Sequence, residues 1–171
     1  MIKKLLLFAF GLVIISNNIF GQGRKSLDNE NGLLKFKLGS NINLYKKDIK
    51  YYWIDKQGKE SYDYIKGDIK QVFGKSVKSI NLIFVDDKLY NIHINFGVLS
   101  NSEQWELIEY LQKKYDLPEI VRNPDENRKL IVIWETGKIL MQLEQYDCSS
   151  PVMSCETDVF INSKAISKLL N

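Results

Sequence analysis

Two adjacent runs of alternating side chains constrain the fold of this chain more than any other feature. Lys78-Ser79-Ile80-Asn81-Leu82-Ile83-Phe84-Val85 leads through Asp86-Asp87-Lys88 into Leu89-Tyr90-Asn91-Ile92-His93-Ile94-Asn95-Phe96. A period of two marks strands that bury one face, and their adjacency marks a hairpin. A two-residue turn would set Phe84 opposite Leu89 and Ile80 opposite His93, mixing the faces. A three-residue loop sets Phe84 opposite Tyr90, Leu82 opposite Ile92 and Ile80 opposite Ile94, so a three-residue loop is expected.

A second hairpin is expected from Lys129–Glu135 and Lys138–Tyr146 around Thr136-Gly137. Across a two-residue turn, Trp134 would face Ile139, Val132 would face Met141 and Glu135 would face Lys138. Tyr51–Ile54 and Tyr62–Ile65 flank Lys56-Gln57-Gly58 as a third hairpin. Leu34, Phe36 and Leu38 read as a half-buried strand ending at Gly39. Ser40 is placed to cap a short helix carrying Ile42, Tyr45 and Ile49. Thr157–Ile161 reads as a last strand.

One segment has helical spacing throughout. Ser100 and Glu103 have capping-box spacing, Leu107, Ile108, Leu111 and Tyr115 form one stripe, and Lys113 and Lys114 fall in the last turn. The main helix is therefore expected over about 101–116, with a short C-terminal helix from Ser163 to Leu170. Hairpins around one main helix predict an α+β fold, an antiparallel β-sheet packed on that helix. No internal repeat is visible in the sequence.

The first residues read as an address. Met1-Ile2-Lys3-Lys4 precedes eleven uncharged residues, Leu5 to Ile15, which Ser16-Asn17-Asn18 interrupt. This is the pattern of a secretory signal peptide, too short for the roughly 20 apolar residues of a membrane span. Cleavage is expected after Gly21, or else after Gly23, with no transmembrane segment in the mature chain. Residues 22–32 would then be a flexible lead-in and 33–171 a single domain. Without residues 1–21 the formal charge of +3 falls to +1, so the basicity does not point to nucleic acid. What remains is uneven. Residues 22–75 carry a net +5 and residues 76–171 a net −4.

Export gives the two cysteines a context. Cys148 and Cys155 flank a six-residue loop and are expected to pair in an oxidising compartment, stabilising by about 2–3 kcal/mol. The single histidine, His93, lies between Asn91 and Asn95 on the polar side of its strand, where an exposed strand histidine is the plainer reading than a general base or metal ligand. No serine-nucleophile, phosphate-loop, zinc or dinucleotide motif is present, and no cofactor or metal is expected.

The candidate site is aromatic. Tyr51, Tyr52, Trp53, Tyr62 and Tyr64 crowd beside Lys46, Lys47 and Lys50. Contiguous Tyr-Tyr-Trp on a strand cannot all face one core, because successive side chains alternate faces. Exposed aromatics with basic neighbours suit a protein-binding surface. The expectation is an exported, non-enzymatic binding module, periplasmic or secreted, acting through a protein partner in an inhibitor-like or immunity-like way. The alternatives are a small envelope-polysaccharide hydrolase using a carboxylate pair, and a passive structural component of the envelope.

Overall fold

The structure, a computed structural model, describes residues 22–121, 128–146 and 156–170. The fold is α+β. Eight antiparallel strands form the main sheet in the order β3-β4-β7-β8-β12-β11-β10-β9. In chain order these are β3 (Ile49–Ile54), β4 (Glu60–Tyr64), β7 (Ser79–Val85), β8 (Lys88–Val98), β9 (Glu119–Val121), β10 (Arg128–Glu135), β11 (Ile139–Tyr146) and β12 (Glu156–Ser163). Two small hairpins, β1 (Gly32–Leu33) with β2 (Phe36–Lys37) and β5 (Gln71–Val72) with β6 (Lys75–Ser76), lie outside it. The helices are α1 (Gln22–Glu30), α2 (Asn101–Tyr115) and α3 (Lys164–Ser167).

The topology repeats although the sequence does not. Each long helix is followed by four main-sheet strands, α1 by β3-β4-β7-β8 and α2 by β9-β10-β11-β12. The last strands of the two halves, β8 and β12, pair at the centre. On the helix side of this seam Ile92 pairs with Ile161 and Ile94 with Val159. These join Leu107, Ile108, Leu111 and Tyr115 of α2 in one apolar cluster, which also holds Val132, Met141 and Leu143.

The main helix forms as its local code requires. The Ser100 side chain accepts from the Glu103 backbone N–H, and the Glu103 carboxylate accepts from the Ser100 N–H at 2.8 Å. The stripe from Leu107 to Tyr115 is buried, while Trp105 at its edge is exposed.

The segment expected to be a loose lead-in is instead ordered through residue 30. Residues 22–30 form α1, and Leu27 is fully buried in the main apolar cluster. The polar composition conceals this because one apolar residue per two turns suffices to dock a short helix that finds polar partners. Tyr115 donates to Glu30 Oε2 at 2.7 Å and Lys114 pairs with Glu30 Oε1 at 3.0 Å. At the other end the Gly23 N–H donates to Asp116 Oδ2 at 3.1 Å. The helices approach so closely there that a Cβ on Gly23 would lie 2.7 Å from the Asp116 backbone nitrogen.

Four further expectations are corrected. Leu34, Phe36 and Leu38 do not share one strand. Leu33 pairs with Phe36, so Leu34 and Lys35 form the turn, with Leu34 exposed at φ 52°. The short helix after Gly39 is one turn of 3₁₀, Ile42–Leu44, capped by Asn41 rather than Ser40.

The β7–β8 hairpin uses a two-residue turn, Asp86-Asp87, with φ 48° and 61°, and Phe84 pairs with Leu89. A bulge between Ile83 and Phe84 then restores Leu82 to Ile92 and Ile80 to Ile94. The extra residue of the expected three-residue loop is thus moved into the strand, where a bulge absorbs it without splaying the ends.

In the β10–β11 hairpin, Trp134 pairs with Met141 and Val132 with Leu143, two places from the expected register. A shift of two keeps every side chain on its face, so alternation alone cannot detect it. A distant residue selects the observed turn. The Asp28 carboxylate of α1 accepts from the Thr136 hydroxyl and from the Lys138 N–H, centring the turn on Gly137-Lys138.

Candidate functional site

The sheet ends at β3, and this edge holds the aromatic segment. A bulge falls between Tyr51 and Trp53, so Tyr52 is the extra residue on the edge strand. Tyr51, Tyr52 and Trp53 are 52%, 65% and 42% exposed, and Ile54 is exposed beside them. Lys46 and Lys47, in the turn before β3, and Lys50 on the strand are exposed as well.

The two later tyrosines have a different role. Tyr62 packs edge-on against Tyr51 and against Phe84, and its hydroxyl donates to Glu60 Oε2 at 2.6 Å. Burial, followed by that bond to a carboxylate, pushes the Tyr62 phenol up to about 12. Tyr64 packs edge-on against Phe36 and donates to Asp68, with Lys35 lying 4.6 Å from its ring centre. The hydrogen bonds from Tyr64 and Lys35 hold the Asp68 carboxyl down at about 2. A chain of aromatic contacts runs from Tyr51 through Tyr62, Phe84, Tyr45 and Phe36 to Tyr64. Tyr62 and Tyr64 therefore support the edge from within, and Tyr51, Tyr52 and Trp53 present it to solvent.

Sequence reasoning missed a second constellation on the sheet face opposite α1 and α2. There the β8–β12 seam sets His93 beside Phe160 and Asn95 beside Asp158. His93 is half-buried rather than freely exposed. Its Nε2 lies 2.7 Å from Asp158 Oδ1, and its ring stacks on Phe160 at 4.4 Å and 14°. Asn95 donates to Asp158 Oδ1 at 2.9 Å and to Glu156 Oε2 at 2.7 Å. Hydrogen bonds from Lys78 and Asn95 hold the Glu156 carboxyl below the usual range. In the next strand Glu144 stands opposite Asp158, and Gln142 donates to Glu144 Oε1 at 2.5 Å.

Both Glu144 and Asp158 are buried, so two carboxylates sit side by side and need such donors to offset their repulsion. The polar alternation Asn91-His93-Asn95 was the only sequence signal for this cluster. It could not name a partner strand some 65 residues away.

Among the described residues no group of three or more His, Cys, Asp or Glu is arranged to hold a metal ion. No helix among them is long and apolar enough to cross a membrane. Cys148 and Cys155 lie outside the described residues, as does the signal-peptide segment. No protein-family model matches the chain, and no curated protein or solved structure matches it.

Proposed function

We propose that the chain is an exported, non-enzymatic binding module that acts through a protein partner in the periplasm or outside the cell, with β3 as the contact edge. The observation that carries the reading is the exposure of Tyr51, Tyr52 and Trp53 on the terminal strand of the sheet. An edge strand leaves backbone N–H and C=O groups free to accept a partner strand. Tyr and Trp supply large contact area with few torsions to freeze, and the neighbouring lysines favour an acidic partner. The first 21 residues support export by their charge and apolar pattern.

The test places a photo-crosslinking residue at position 52 in cells, identifies the envelope protein it captures, and titrates that purified protein against the mature chain. Binding at least about tenfold weaker for Tyr52→Ala/Trp53→Ala supports the reading. A purified partner that binds the double variant as tightly as wild type sinks the site. Failure of any crosslink to form sinks the class.

A second reading, hydrolysis of envelope polysaccharide by a carboxylate pair, is favoured by the juxtaposition of Glu144 and Asp158 across β11 and β12. It requires turnover of glycan by the purified mature chain and its loss in Asp158→Asn. Absence of turnover across pH 4–8 removes it.

A further inference from the structure

Four lysines from three separate segments line one hollow at the end of the sheet where the β7–β8 and β10–β11 turns lie. Lys88 begins β8, Lys138 sits in the β10–β11 turn, and Lys164 and Lys168 bracket α3. Together they line a pocket of about 480 Å³, within the range of pockets that hold small organic ligands. Among the described residues no Asp or Glu lines it, while Asp28 accepts from the Lys138 N–H and Glu135 pairs with Lys164.

Hydrogen bonds join the elements that line the pocket. The Lys164 N–H donates to the Lys138 carbonyl at 2.9 Å, joining α3 to the turn. The Lys164 ammonium reaches away to Glu135 Oε1 at 2.6 Å and the Thr136 carbonyl at 2.9 Å, which fixes one wall. Elsewhere in the lining the Asn31 side chain donates to the Leu38 carbonyl at 3.1 Å. The other three ammonium groups, of Lys88, Lys138 and Lys168, have no hydrogen-bond or ion-pair partner among the described residues. Like charges gathered around a concavity repel one another and raise the local concentration of anions.

Part of the lining is apolar. Leu38 and Ile166 belong to the lining but are themselves buried, and Leu169 stands 75% exposed. A small inorganic anion would satisfy the lysines and leave Leu169 in water. We infer that this pocket binds an amphiphilic anion, a phosphate or carboxylate headgroup carrying a short hydrocarbon body. The headgroup takes the charge-assisted hydrogen bonds of Lys88, Lys138 and Lys168, and the hydrocarbon covers the exposed side chain of Leu169. This site is separate from the β3 edge and stands or falls independently of it.

Calorimetric titration of the mature chain with inorganic phosphate, octyl phosphate and octanoate tests the inference. Octyl phosphate or octanoate should bind at least about tenfold tighter than inorganic phosphate, and Lys88→Gln/Lys138→Gln/Lys168→Gln should lose about tenfold or more of that affinity. Leu169→Ser should weaken the octyl compounds and leave inorganic phosphate unchanged. In the wild type, amide chemical shifts should move at Gly39, Gly137 and Ala165. The phosphate and carboxylate arms distinguish the two headgroups. Equal affinity for inorganic phosphate and octyl phosphate overturns the amphiphile assignment. Absence of binding, shifts confined to other residues, or full affinity in the triple variant overturns the site.

Discussion

The Tyr115 hydroxyl of α2 donates to the Glu30 carboxylate of α1 at 2.7 Å, so the last turn of one helix holds the last turn of the other. Burial and then this bond to an anion push the Tyr115 phenol above its ordinary range. The contact makes the N-terminal segment part of the folded unit. Leu27→Ala should cost about 2–4 kcal/mol through the cavity it leaves, and Tyr115→Phe about 1–2 kcal/mol through the lost bond to a charged acceptor. Urea unfolding of the mature chain measures both. A Leu27→Ala variant as stable as wild type would show that α1 is not docked.

The aromatic edge and the seam should respond oppositely to substitution. Tyr52 on β3 is exposed, so Tyr52→Ala should change stability by no more than about 0.5 kcal/mol. Asp158 accepts from both His93 and Asn95 at the centre of the sheet, so Asp158→Ala strands two donors and should cost about 2–4 kcal/mol. Thermal melts of the two variants, compared at one pH, separate a presented surface from a supporting one.

Asp68 gives the acid limb a signature. Its folded-state pKa lies at about 2, below the 3.8 of a free aspartate side chain, because Tyr64 and Lys35 donate to the carboxylate. A carboxyl depressed in the folded state binds its proton more readily when unfolded. Its contribution is present above the unfolded pKa and disappears as pH falls through the folded one. Asp68→Asn should therefore lower stability slightly at pH 6 and have little effect near pH 2, a convergence that paired unfolding curves would reveal. A constant difference across that interval would contradict it.

The β7–β8 turn holds Asp87 at φ 61°, a conformation that glycine adopts without steric cost. The Ile42 N–H donates to the Asp87 backbone carbonyl at 2.8 Å, and a substitution by glycine leaves that bond in place. Asp87→Gly should accordingly stabilise by about 0.5–1 kcal/mol, seen as a higher melting temperature. A lower one would mean that the side chain itself contributes.

Local chemistry in the sequence determined the main helix and the long hairpin strands, but not α1 or the β1–β2 hairpin. Ser100 and Glu103 cap a helix whatever surrounds them, and alternation from Ile80 to Phe96 selects a buried face whichever turn joins the strands. The α+β class follows from those elements. Register was only half legible, because alternation records which face a residue takes and is blind to a shift of two places. In the β10–β11 hairpin, Asp28, more than a hundred residues earlier, selects the turn.

The exposure of Tyr51, Tyr52 and Trp53 was foreseeable in part, since contiguous aromatics on a strand must split between faces. That Tyr62 and Tyr64 turn inward while those three stay outside depended on Phe84 and Phe36 arriving from other elements. The same holds for His93 with Asp158 and for the four lysines around α3. Each member is an ordinary polar residue in its own stretch of chain. Only strand order and long-range pairing, set by burial of the shared apolar face, bring them within reach of one another.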